Sequence, residues 1–227
     1  MIEERSERLI EKKKPKEPLS PKLPKELKEI EPAPLEHEQV IKRGSIENVS
    51  FASEEAEHVI FNQLHFKNVQ FEAVILPYSE WTDVVFEKCD LSNATFPHGI
   101  FHRVTFKECK LVGVDFHEAA LRNVRFFGCQ APLASFSLTN CKHLRFEKCQ
   151  LRGADFFESD FDNVQLPNSN IDQVQFSGTK LKDVDLSTCE FERLLVSIED
   201  LQGCIISPEQ AIPFVQALGL QVKNSED

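Results

Sequence analysis

From Val104 to Phe126 the chain reads VTFKECKLVGVDFHEAALRNVRF. Phe106, Leu111, Phe116, Leu121 and Phe126 fall on every fifth residue, and two residues before each stands Val104, Cys109, Val114, Ala119 or Val124. A period of five suits neither a 3.6-residue helix nor an alternating strand. It suits a chain that turns a corner every five residues and points two of each five inward.

Working outward, the register holds from Ile46 to Ile206 without a slip. Its 33 central positions carry 16 Phe, nine Leu, three Ile, two Ala and one each of Trp, Val and Cys. Sixteen of the nineteen phenylalanines in the chain therefore lie in a single phase, and no charged or amide side chain does. The position two residues earlier is small or β-branched nearly throughout, with Glu54 and Glu199 as exceptions near the two margins. No loop is inserted anywhere in this stretch.

Four five-residue sides close a coil of twenty, and the sequence repeats at that longer period too. Phe66, Phe86, Phe106, Phe126 and Phe146 make one column, Phe96, Phe116, Phe136, Phe156 and Phe176 another. Coils stacked at the strand separation of about 4.8 Å would place these rings over one another, giving a rod on the order of 40 Å long. Pro77, Pro97, Pro132 and Pro167 each follow a central residue, where the second position of a type I or II turn welcomes a fixed φ.

The triplets Val114-Asp115-Phe116, Ala154-Asp155-Phe156 and Val184-Asp185-Leu186 carry the signature further. Small residue, Asp or Asn, then Leu or Phe, then two polar residues: the pattern over residues 44–206 resembles the pentapeptide-repeat family. The resemblance implies an all-β chain, a right-handed quadrilateral β-helix of about eight coils.

The ends follow different rules. Ser207-Pro208-Glu209-Gln210 reads as a helix start, with Ser as N-cap, Pro at the first helical position and Gln completing a capping box. Ile212, Phe214, Val215 and Leu218 supply apolar side chains for an α-helical cap over residues 207–227, although Pro213 removes a hydrogen bond from it. At the other end, residues 1–43 do not repeat. They hold six of the twelve prolines, 11 basic and 10 acidic groups. Pro15, Pro18, Pro21 and Pro24 are spaced by three, as in polyproline II. The segment reads as a short charged helix followed by an extended, largely disordered arm, too polar to form a core of its own.

Chemistry of the catalytic kind is missing from the pattern. Cys89, Cys109, Cys129, Cys149 and Cys189 share one inward face, with Ser169 on the remaining rung, and Cys141 takes a central position. A vertical ladder supplies no tetrahedral geometry and there is no CxxC, so these thiols read as small core residues. The seven histidines form no HxxxH or HExxH motif, and no glycine-rich phosphate loop exists. The sequence predicts no enzyme, no catalytic residues, no metal and no cofactor.

Charge is distributed unevenly. The chain totals 26 basic and 37 acidic groups, net −11, which disfavours direct binding to nucleic acid or to an anionic membrane. No apolar run approaches the roughly 18 residues of a membrane span, and a cytoplasmic location is expected. Residues 44–100 hold nine acids and two bases, 101–152 four and nine, 155–200 eleven and three. The basic middle gathers Arg103, Arg122, Arg125, Lys142 and Arg145, with His102 and His143, on one face of three coils, a candidate patch for an anionic partner. The C-terminal acids Asp155, Asp160, Asp162, Asp172, Asp183, Asp185, Glu190 and Glu192 form the other candidate surface.

Within the family, the quinolone-resistance branch and its mycobacterial relatives are described as rods that mimic DNA and bind type II topoisomerases. The segment 203–220 looks like the C-terminal tail through which they dimerise. The resemblance thus implies a homodimer that modulates DNA gyrase or topoisomerase IV through the C-terminal acids. The basic middle and the arm depart from that branch. They support the alternative expectation, a protein–protein scaffold that uses the basic face and the arm.

Overall fold

Each five-residue side needs a sharp corner, and the backbone supplies it with one left-handed residue per side. In the computed structural model, which describes residues 15–217 and 221, every fifth residue from Glu38 to Asp183 has φ near +60°. Most of these are not glycine; Asn48, Asn68, Asn93, Asn123, Asn163 and Asn168 are the type that tolerates this region best. Gly113 meets a second requirement there: a Cβ would lie 2.8 Å from the Asn93 side chain one coil earlier.

Among the described residues eight strands result: β1 (Lys28–Glu29), β2 (Val40–Glu47), β3 (Ile60–Lys67), β4 (Glu80–Glu87), β5 (Ile100–Lys107), β6 (Ala120–Phe127), β7 (Asn140–Glu147) and β8 (Asp160–Gln165). They form one parallel sheet in sequence order. The register is twenty residues, as in Phe86↔Phe106 and Val84↔Val104. Strands β2 to β7 each run over two sides and bend at their fourth residue, where the ladder skips a pair, as between Lys42↔Asn62 and Gly44↔Leu64. The other two sides are held by single parallel bridges such as Asp90↔Lys110 and Thr95↔Asp115. Their corners close as type II turns: Ala119 N–H donates to Phe116 O at 2.9 Å around Glu118, whose φ is 55°. Pro77, Pro97 and Pro132 occupy the first central position of equivalent turns.

All outward freedom is purchased by a fully consumed interior. The Phe66 to Phe146 column stacks with centroid separations of 5.2, 4.7, 4.6 and 4.5 Å. The Phe96 to Phe176 column stacks alongside it, and rings of the two columns meet edge to face. The cysteine ladder solves a local polar problem: Cys109 Sγ donates to Phe86 O at 3.5 Å and Cys129 Sγ to Phe106 O at 3.4 Å. Ser169 Oγ makes the same bond to Phe146 O at 3.2 Å, which is why Ser replaces Cys on that rung. Burial pushes the Cys141 and Cys189 thiols up to about 12.

Both ends are covered. At the first, Ile30 follows β1 and packs against Gly44, where a Cβ would come within 2.4 Å of its side chain. Glu54, one of the two exceptions to the small inward positions, accepts the Leu35 N–H at 2.6 Å and satisfies the chain crossing that end. At the other, helix α1 (Pro208–Ala217) begins with a reciprocal capping box. Ser207 N–H donates to Gln210 Oε1 at 2.9 Å, and Gln210 N–H to Ser207 Oγ at 3.4 Å. Gln210 Nε2 also donates to Leu186 O and Cys189 O, and Phe214 meets Phe191 at 5.7 Å, so the helix sits on the last regular coil. Among the described residues no helix is long and apolar enough to cross a membrane.

The N-terminal arm differs from expectation. Its first fourteen residues, where a short helix was expected, lie outside the described residues. Residues 15–43 are not a disordered tail: 15–24 run along the side of the rod, 28–30 cap it, and β2 begins at Val40. The arm lacks a core of its own and borrows the rod's polar side chains instead.

Candidate functional site

The corner column at the bend of the strands runs Gln63, Asp83, Arg103, Asn123, His143, Asn163. Every second member from Asp83 offers an oxygen, and each oxygen meets a backbone N–H of the arm. Lys22 N–H donates to Asp83 Oδ1 at 2.8 Å, Leu19 N–H to Asn123 Oδ1 at 3.1 Å and Lys16 N–H to Asn163 Oδ1 at 3.1 Å. The amides of Asn163 and Gln63 answer by donating to Lys16 O and Lys22 O at 2.6 and 3.1 Å. The intervening members are braces. Arg103 holds both oxygens of Asp83 at 2.5 and 2.7 Å, and His143 Nδ1 accepts from Asn163 Nδ2 at 2.9 Å.

The spacing explains the prolines. Two coil rises amount to about 9.6 Å, and three residues of polyproline II to about 9.3 Å. A strand would span the same distance but turn residues 16 and 19 to opposite faces. Three residues per turn instead present N–H 16, 19 and 22 to one column, each directly after a proline. Pro18 is buried, Pro21 and Pro24 half-buried.

Electrostatics reinforce the seat. Burial opposes ionisation of Asp83, which is only 5% exposed, but the Arg103 and Lys22 hydrogen bonds and the Arg103 charge outweigh it and hold the carboxyl below its ordinary range. Burial together with the charges of Arg103 and Arg122 lowers the His102 pKa. Glu17 reaches from the arm to Arg125 Nη2 at 2.7 Å and Arg145 Nη1 at 3.2 Å.

The structure therefore does bring the basic residues of the sequence reading to one side, yet carboxylates of the same chain meet most of them. Arg103 is paired with Asp83, Arg125 and Arg145 with Glu17, and Lys142 with Asp162 at 2.5 Å. Arg122 is exposed.

The C-terminal acids do not share one surface. Asp155 and Asp185 bond the N–H two residues on, at 2.8 and 2.9 Å, as turn formers. Asp172 accepts from Glu192 and Arg193 N–H and lies 3.6 Å from Arg152. Glu190 and Glu192 are exposed on that side of the rod. Asp160, Asp162, Asp183 and Asp185 do come together, around a break in the ladder. No bridge joins β8 to residues 180–185 among the described residues, while Asn170↔Glu190 and Gln175↔Leu195 hold the other sides of the same coils. The resulting opening of about 1400 Å³ is lined by those four acids together with Arg145, Lys180 and Lys182. The sequence gives no sign of it, because the inward residues Leu166, Val184 and Leu186 stay in pattern and buried.

On the helix, Ile212 is 46% exposed and Phe214 and Val215 are half-buried; Leu218 lies outside the described residues. Among the described residues no group of three His, Cys, Asp or Glu side chains is placed to hold a metal ion.

Among solved structures, the chain is similar to HetL, a pentapeptide repeat protein involved in heterocyst differentiation regulation in the cyanobacterium Nostoc sp. strain PCC 7120, at 15% identity over 75% of this chain and 90% of that one, with a TM-score of 0.41. It is also similar to QnrB1, a plasmid-mediated fluoroquinolone resistance protein, at 19% identity over 87% and 98% of the two chains, TM-score 0.39. A third, from the Arabidopsis thaliana thylakoid lumen, shares 26% identity over 46% of this chain and 66% of that one, TM-score 0.22. A search of curated proteins finds no match. The profile of the pentapeptide repeat region matches residues 79–156. The same corner every five residues continues on both sides of that stretch, so the repeat geometry of the matched residues extends along the rod.

Proposed function

We propose that this protein is a non-catalytic binding rod of the cytoplasm, and that it docks a protein partner along the side on which its arm lies. One observation carries the reading: that side already recognises a peptide segment, through three backbone hydrogen bonds and the Glu17 pairs with Arg125 and Arg145. The rest of the architecture supports it. A rod whose interior is filled with aromatic rings has only its outward columns to work with, and straight columns suit extended partners. The test is affinity capture with the full-length protein and with its Arg125→Glu/Arg145→Glu variant, followed by reconstitution from purified components. A partner bound by the first and lost from the second supports the reading; identical capture by both rejects it.

A second reading is modulation of a type II topoisomerase, DNA gyrase or topoisomerase IV, by DNA mimicry. The cluster of Asp160, Asp162, Asp183 and Asp185 at the coil opening favours it, as does the net charge of −11, since an acidic rod complements a basic DNA channel. This reading includes a homodimer formed through α1, with exposed Ile212 at the contact. A supercoiling assay titrated with the protein, with and without a fluoroquinolone, tests it. Inhibition or drug protection that disappears on charge reversal of the four aspartates supports mimicry; no effect up to tens of micromolar removes it.

A further inference from the structure

The arm's seat has the form of a general recognition site. Its acceptors recur every two coils, its ligand's donors recur every three residues, and the two repeats agree to within about 0.3 Å over one turn of polyproline II. Nothing in the three hydrogen bonds reads a side chain of the arm. The N–H groups of Lys16, Leu19 and Lys22 are backbone, and the Leu19 side chain is 59% exposed. Selectivity comes from shape, through buried Pro18 and half-buried Pro21 and Pro24, and from one charge, Glu17 between Arg125 and Arg145.

We propose that the Asp83–Asn123–Asn163 column is a polyproline II recognition site, filled in cis by residues 15–24. Its partner is a second proline-rich segment, with proline at every third residue and an acidic residue just before one of them. The proposal rests on the reading that this side of the rod binds protein, and it names the chemistry of what binds. The tethered arm acts as the resident competitor. Its effective concentration, on the order of millimolar for a short linker, sets the threshold that an incoming segment must exceed.

A fluorescent peptide with the sequence of residues 13–25 provides the probe, titrated by anisotropy against two full-length proteins. In one the arm is native; in the other Pro18→Gly and Pro21→Gly loosen it. The loosened protein should bind the peptide one to one, at least tenfold tighter than the native protein does. Two altered peptides read the register without touching the rod's own fold. Leu19→Pro removes an N–H bonded to Asn123 while preserving the polyproline conformation, and should cost at least tenfold. Ser20→Pro removes an N–H that makes no bond among the described residues, and should bind like the parent.

Equal losses from both prolines, or equal binding of a peptide with the same composition and shuffled prolines, overturn the proposal in favour of nonspecific charge attraction. Absence of saturable binding to the loosened protein up to hundreds of micromolar, with its circular dichroism native, overturns it as well. Register-specific peptide binding alongside a failed partner capture would leave this site standing and reject only the wider reading of the side as a partner-docking surface.

Discussion

Replacing Asp83 tests whether the arm is structurally coupled to the rod. The carboxylate accepts one backbone N–H from Lys22 and two bonds from Arg103, and both side chains are largely buried, at 7% and 16% exposed. Asp83→Ala leaves the guanidinium without its partner in a poorly solvated place and strands the Lys22 N–H. Breaking a buried pair by removing one member costs about 3–5 kcal/mol. The lower part of that range is expected, because Arg103 can swing toward solvent. Asp83→Asn keeps one acceptor oxygen for Lys22 but loses the charge and puts an amide NH2 where Arg103 Nη2 needs an acceptor, so about 1.5–3 kcal/mol is expected, the range of a charged hydrogen bond. Urea denaturation gives both values, and limited proteolysis should cut within residues 15–27 faster in Asp83→Ala than in wild type. The acid limb supplies an independent check. The folded Asp83 carboxyl titrates below its ordinary 3.8, so its contribution is complete above that pH and is lost as pH falls through the lower folded value. The stability gap between wild type and Asp83→Asn should therefore narrow below pH 4. A loss under about 0.5 kcal/mol for Asp83→Ala, the scale of an ordinary surface substitution, with unchanged proteolysis and a pH-independent gap would refute the reasoning.

Three further outcomes follow from the packing. Phe106→Ala removes a ring stacked at 4.7 and 4.6 Å between Phe86 and Phe126, and should cost about 3–5 kcal/mol in urea denaturation. Ser207→Ala removes one half of the helix cap and should cost about 1 kcal/mol. Cys129→Ser should be tolerated far better than Cys129→Leu in thermal unfolding, because Ser169 shows that a hydroxyl can make the same bond to the preceding coil.

The inward half of this molecule was legible in the sequence and the outward half was not. Phe86, Phe106 and Phe126 announce their column because an interior position has one requirement, apolar bulk, and the requirement recurs at a fixed period. The capping box at Ser207 and Gln210 was readable for the same reason, as local chemistry at fixed spacing. Asp83, Asn123 and Asn163 satisfy a rule that operates only every second coil, and their partners are backbone groups about 60 to 150 residues away. Pro15, Pro18, Pro21 and Pro24 have the spacing of polyproline II, but spacing alone cannot say what such a segment lies against. The basic residues pointed to a surface that binds carboxylate, and the structure supplies one from Glu17 of the same chain. Four of the C-terminal acids meet only because the ladder stops after β8, an event that leaves the apolar pattern unchanged.

Hydrogen exchange of the arm amides, resolved by residue in the full-length protein near neutral pH, tests the central claim most directly. Lys16, Leu19 and Lys22 should be protected at least tenfold over Glu17, Ser20 and Leu23, a pattern with the period of the prolines. Exchange at random-coil rates throughout residues 15–25 would contradict the account.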